Sequence, residues 1–349
     1  MNGSTEHDDF ITSTRGGIIE NRHLIHVAVV DSNGRLLLST GSPHRTSLLR
    51  SAAKPAQALT ILETGALERF GFGDADLALM CASHNSEERH VKRAQNMLRV
   101  IDAVEDDIRC GGHPSILPEI ARSWIREGVE PTAINNNCSG KHAGMMAGAK
   151  ALGAGSKGYH LLEHPMQQRV KAVVEDLAQC REGEVQWAID GCNLPAPAMS
   201  LDQMALMFAT LAKTHDSEPG SSTSKRDRNI ARVFDAMTTY PEMVAGKDRF
   251  CTTLMQAYHG QLIGKVGADG VYGISIRQSD RTRKLGSGGP IGVAVKIEDG
   301  NLDILYAAVV EVLEQLEIGT AEMRGKLERF RPRERFNTAD VVVGLLLWF

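Results

Sequence analysis

What most constrains the fold is where strand-like and helix-like runs fall along the chain. Residues 23–30 and 36–39 are apolar segments joined through Asp31-Ser32-Asn33-Gly34. An Asn-Gly pair between two such runs predicts a β-hairpin. Residues 271–276 and 291–297 alternate as strands do. Between these ends, 145–152, 166–177 and 204–212 carry apolar residues at three- and four-residue steps and predict helices. Residues 77–82 read as a buried strand, followed by a helix that Ser86 would cap. A chain patterned this way draws its sheet from both ends and hangs its helices between them. The prediction is an α/β (α+β) fold. Residues 1–14 are expected to be a flexible segment and 15–349 one catalytic domain, helical over about 55–230, with a polar loop at 215–229.

Composition removes several function classes. Lys plus Arg is 39 and Asp plus Glu is 43, a net charge of −4, so no basic excess is available to neutralise phosphates. Neither a nucleic-acid partner nor a membrane is expected. The first ten residues are polar and acidic and do not read as a secretory signal, so a cytoplasmic, reducing location is expected. Six cysteines are too few for a disulfide scaffold of this length. Residues 324–335, with six Lys/Arg and two Glu, read as a solvated segment, and the apolar end 341–349 as a terminal strand.

Five short segments carry side chains suited to chemistry. Arg50-Ser51-Ala52-Ala53-Lys54-Pro55 places Ser51 and Lys54 one helical turn apart. Pro55 requires that turn to be a helix start, and Gly65 ends the helix. A serine hydroxyl there becomes a nucleophile if a neutral lysine takes its proton. Ser83-His84-Asn85 offers a second hydroxyl. Residues 135–142, Asn-Asn-Asn-Cys-Ser-Gly-Lys-His, suit neither core nor surface, and Asp190 precedes a Gly191-Cys192-Asn193 turn. The pair Cys138 and Cys192 fits metal binding, redox chemistry or coincidence on spacing alone. Lys265 stands among Gly264, Gly267 and Gly270, where backbone can come close to a substrate.

In their joint order these segments resemble the rhizobial-type L-asparaginase family, which has fungal members. The resemblance runs from about Gly16 to Val293, and residues 16–23 are similar to the fungal branch. It implies a fold related to serine β-lactamases and penicillin-binding proteins, an antiparallel sheet flanked by helices. It also implies hydrolysis of L-asparagine to L-aspartate and ammonia, and a homodimer. Carried over by position, Ser51 with Lys54 and Ser83 with Lys265 form two Ser-Lys tandems, and Cys138, Lys141 and Cys192 match a zinc site. A lysine ligand must be a neutral amine, so metal affinity would depend on pH. Ser51 is the expected attacking hydroxyl. Arg50 and Asp190 are candidates to hold the substrate's α-carboxylate or α-ammonium.

Three other readings stay open. One is a related Ser-Lys amidohydrolase, a glutaminase or β-lactamase-like enzyme, which the extra Cys138/Lys141/Cys192 set disfavours. The others are a non-catalytic amino-acid- or metal-binding protein on the same fold, and a redox protein using Cys138 and Cys192. The threonine-dependent asparaginases are disfavoured because Thr14-Arg15-Gly16-Gly17 interrupts their Thr-Gly-Gly-Thr pattern. The tail from about 335 is more apolar than the family leads one to expect, and such an end favours association if exposed.

Overall fold

The computed structural model describes residues 9–213 and 224–347. The strands are β1 (Phe10–Arg15), β2 (Ile18–Asp31), β3 (Leu36–Thr40), β4 (Thr46–Leu48), β5 (Gln186–Ile189), β6 (Pro195–Ser200), β7 (Leu262–Gly267), β8 (Val271–Ile276), β9 (Ile291–Ile297), β10 (Glu334–Phe336) and β11 (Val342–Leu347). The large sheet runs β10-β11-β1-β2-β9-β8-β7, with β3 also paired to β2. Its pairings are antiparallel. Both chain ends therefore supply the sheet, and helices flank it, as the resemblance to serine β-lactamases implies. The hairpin closes where Asn-Gly stands: Gly34 takes φ +83°, and Asp31 Oδ1 accepts from the amides of Asn33 and Arg35.

Glycines let the helices lie flush on their neighbours. The helix Leu201–Lys213 crosses β2, β8 and β9. A Cβ on Gly292 would fall 1.8 Å from the Ala205 carbonyl, and one on Gly273 would meet the Phe208 ring. Gly140, Gly144 and Gly148 recur one turn apart on the helix Ser139–Ala151 and face Leu79, Met80 and Met166. The helix Lys54–Glu63, buried over nine of its ten residues, is enclosed by the helices Ser139–Ala151, Pro165–Leu177 and Lys225–Thr239. Among the described residues no helix is long and apolar enough to cross a membrane.

Four expectations are corrected. Residues 77–82 are not a strand: the helix Asp74–Met80 holds most of them, and Gly73 N donates to Asp76 Oδ2 at 2.8 Å to cap it. A short run that is apolar on every side carries no period, so strand and buried helix look alike. Ser86 does not cap the next helix. It has φ +60°, its hydroxyl donates to the Asn135 carbonyl, and Glu87 is the capping residue of Glu88–Val100. The polar loop 215–229 is shorter: Ser224 caps the helix Lys225–Thr239, and residues 214–223 lie outside the described ones. β1 reaches into the expected flexible segment 1–14, of which residues 1–8 lie outside the described ones.

Two surface readings are sharpened. In the charged segment 324–335, Arg331 is buried between Glu311 and Glu328. The apolar tail forms β11, paired to β1 and β10, with Val342, Leu345 and Leu347 exposed.

Candidate functional site

The chain leaves β4, turns at Arg50 with a left-handed φ of +49°, and enters a 3-10 turn over Arg50–Ala53 that runs straight into the helix Lys54–Glu63. A left-handed backbone at an arginine is strained, and such strain concentrates where a side chain must be presented. β7 packs directly on this turn because it ends at Gly267, where a Cβ would fall 2.3 Å from the Leu49 carbonyl. Ser51 is thereby held beside the strand that carries Lys265.

Ser83-His84-Asn85 lies on a third segment, fixed by backbone bonds on both sides. Ser83 N donates to the Val244 carbonyl, Asn85 N to Ala245, and His84 N to Asn137. The two lysines meet on this segment. Lys54 Nζ and Lys265 Nζ each lie 2.9 Å from Ser83 Oγ. Lys54 Nζ also donates to the Ala82 carbonyl and reaches Cys138 Sγ at 3.1 Å, and Lys265 Nζ donates to the Val266 carbonyl. No hydrogen bond joins Ser51 Oγ to Lys54 among the described residues. The spacing put the two on one face, but Lys54 extends past Ser51 to Ser83. Burial first, and the neighbouring Lys54 second, pull the Lys265 amine down to about 7. Lys265 is therefore substantially neutral at physiological pH and able to accept a proton.

Cys138, Lys141 and Cys192 also converge. Cys138 opens the helix Ser139–Ala151, with its amide on Asn136 Oδ1 at 2.9 Å, and Lys141 follows one turn later. Cys192 sits in a tight turn: Asn193 N donates to the Asp190 carbonyl, Asp190 N to that of Leu194, and Asn193 has φ +66°. Lys141 Nζ lies 3.0 Å from Cys192 Sγ, and all three side chains are buried. A hydrogen bond from the Cys138 thiol holds Cys192 well below the usual thiol range, while that bond, then burial, pushes Cys138 up to about 12. Burial acts to lower Lys141, but Cys192, Cys138 and Asp190 outweigh it and the amine is raised. Among the described residues no three His, Cys, Asp or Glu side chains gather as a metal set. The donors here are two sulfurs and an amine, a soft set that suits zinc once Lys141 and Cys138 lose their protons. All six cysteines are free thiols.

Arg50 and Asp190 pair with each other at 2.6 Å, and Arg50 also contacts Asp269. The cleft adds residues outside the expected site set: His113, Asn137 and Arg249 line it, with Tyr306 from the helix Leu302–Gln315. Asn137 stood inside the unusual Asn run. Arg249, in Lys247-Asp248-Arg249-Phe250, had no local signal.

A family model described as L-asparaginase II matches residues 11–347. No protein of curated function matches the chain significantly. Among solved structures, a Bacillus subtilis probable glutaminase is 13% identical, covering 88% of this chain and 86% of its own, with a TM-score of 0.34. A Bacillus glutaminase is 14% identical, covering 84% and 92%, with a TM-score of 0.36.

Proposed function

The chain belongs to the L-asparaginase II family, and from that premise we propose that this amidohydrolase converts L-asparagine to L-aspartate and ammonia through a serine acylated at the substrate's side-chain amide. The observation that carries the reading is the Ser83 hydroxyl bonded on both sides to lysine amines at 2.9 Å. A hydroxyl donates one proton and accepts others, so it passes a proton between two such neighbours.

Ser51, partly exposed in the cleft, attacks the amide carbon. As Lys54 gives up a proton through the Ser83 hydroxyl to the neutral Lys265 amine, it takes the proton of Ser51 in its place. The same chain returns a proton to the departing ammonia, and water then cleaves the ester. The backbone amide of Ser51 at the helix start donates to the developing oxyanion. Cys138, Lys141 and Cys192 would hold zinc. When bound, it supplies a Lewis-acidic point charge beside the cleft. The Arg50–Asp190 pair steadies the turn that carries Cys192, since Asp190 Oδ1 also accepts from the Gly191 amide at 2.7 Å. A homodimer and a cytoplasmic location complete the proposal.

Ammonia release from asparagine and from glutamine, and ring opening of a β-lactam, each followed with and without added zinc, test it. Turnover of asparagine well above the other two is expected. Glutamine as the better substrate would refute the asparagine assignment.

A further inference from the structure

The cleft around Ser51 has two lobes that share Ser51, His113, Asn137 and Ala268. One, of about 180 Å³, holds Arg50, Asp190 and the two metal-side cysteines. The other, of about 250 Å³, holds Ser83, Arg249 and Tyr306. Each lobe thus has one arginine, and their charges are met differently. Arg50 is engaged by two carboxylates, Asp190 and Asp269. Arg249 donates to neutral acceptors, the Ser83 carbonyl at 3.2 Å and Asn85 Oδ1 at 3.0 Å. Among the described residues no carboxylate forms an ion pair with it. Both bonds use Nη1 and the Tyr306 hydroxyl also lies against the guanidinium, so Arg249 is fixed in place while its fork offers further donors.

We infer that Arg249 binds the α-carboxylate of the amino-acid substrate, which lies with its side-chain amide at Ser51 and its carboxylate in the Ser83 lobe, away from the cysteines. The inference rests on the amidohydrolase reading above and deepens it. A partly buried guanidinium without a counter-ion attracts a carboxylate, and the forked geometry rewards a bidentate one. In asparagine only three bonds separate the carboxylate carbon from the amide carbon. Arg249 is tied to the backbone of Ser83 itself, whose hydroxyl belongs to the proton chain, so the anchor and the chemistry are close enough for so short a molecule. Binding at Arg50 would instead have to displace Asp190 or Asp269. Arg249 thereby becomes a specificity residue: it admits free amino acids and discriminates against amides that lack the carboxylate.

The test uses the full, zinc-loaded chain. Calorimetric titration with L-aspartate, which is not consumed, compares the unmodified protein with Arg249→Gln, Arg249→Lys and Arg50→Gln. Arg249→Gln is expected to weaken binding by about 100-fold or more. Arg249→Lys, which keeps a charge without the fork, recovers part of that loss. The kcat/KM ratio of asparagine to 3-aminopropanamide, the same amide without its carboxylate, falls toward one in Arg249→Gln. A general disturbance of the fold would lower both rates and leave the ratio standing. Unchanged aspartate affinity in Arg249→Gln, an unchanged ratio, or a loss confined to Arg50→Gln overturns the inference. Arg249-dependent aspartate binding without any ammonia release would sink the hydrolase reading and leave the carboxylate site intact. Turnover with Arg249-independent binding would do the reverse.

Discussion

Replacing Lys265 with methionine isolates the group that the proposed proton chain needs in its neutral form. Methionine keeps much of the length and removes the charge. In the folded protein burial and Lys54 bring Lys265 from 10.5 to about 7, a difference of 3.5 units or about 5 kcal/mol at about 1.36 kcal/mol per unit. The unfolded chain holds this proton up to about 10.5 and the folded chain releases it above about 7. Between those values the unfolded state binds more protons, so this group makes stability rise with pH. Below about 7 both states are protonated and the full cost of burying the ammonium remains. Lys265→Met lacks the whole dependence. Urea unfolding at intervals from pH 7 to pH 9 should therefore show the variant more stable at pH 7. Its lead should shrink by about 0.7 kcal/mol per pH unit at pH 7, where Lys265 is half protonated, steepening toward about 1.4 kcal/mol per unit above it, or about 2 kcal/mol over the range. A constant packing difference between Met and Lys shifts the curves without changing that slope. Parallel profiles for the two proteins would refute the reasoning, because Lys265 would then keep its proton to high pH and could not act as the base.

Four further outcomes follow from the site. Ser51→Ala should lower kcat for ammonia release by about 1,000-fold or more while the thermal midpoint holds; normal turnover would remove Ser51 as nucleophile. In the unmodified protein kcat/KM should rise with pH through about 7 as Lys265 loses its proton, then level off; a profile flat from pH 5 to 8 would contradict this. Gly267→Ala puts a Cβ 2.3 Å from the Leu49 carbonyl and the Val271 side chain, pushing β7 off the Ser51 turn. It should cost about 1–3 kcal/mol of stability and most of the activity, and full activity would show that close approach to be dispensable. Cys138→Ser with Cys192→Ser should abolish zinc uptake in elemental analysis, and unchanged metal content would exclude the site.

The sequence alone determined much of the molecule. Alternating apolar runs fixed β8 and β9 to the residue, and Asn33-Gly34 fixed the hairpin, because period and turn chemistry are local properties. The residue types at 50–55, 83–85, 135–142, 190–195 and 264–270 announced chemistry before any fold was known. Residues 77–82 misled, since burial on all sides erases the period that separates a helix from a strand. What only the tertiary structure decided is who meets whom. Lys54 follows Ser51 by three residues, yet its amine lies on Ser83, and Lys265 arrives on the same hydroxyl from 182 positions away. Arg249, with nothing in its neighbourhood to mark it, reaches the cleft wall because Ser83 and Asn85 bind it there. Charge balance and the lowered Lys265 pKa share one physical reason: both depend on burial and on neighbours distant in sequence, and only the folded chain brings those together.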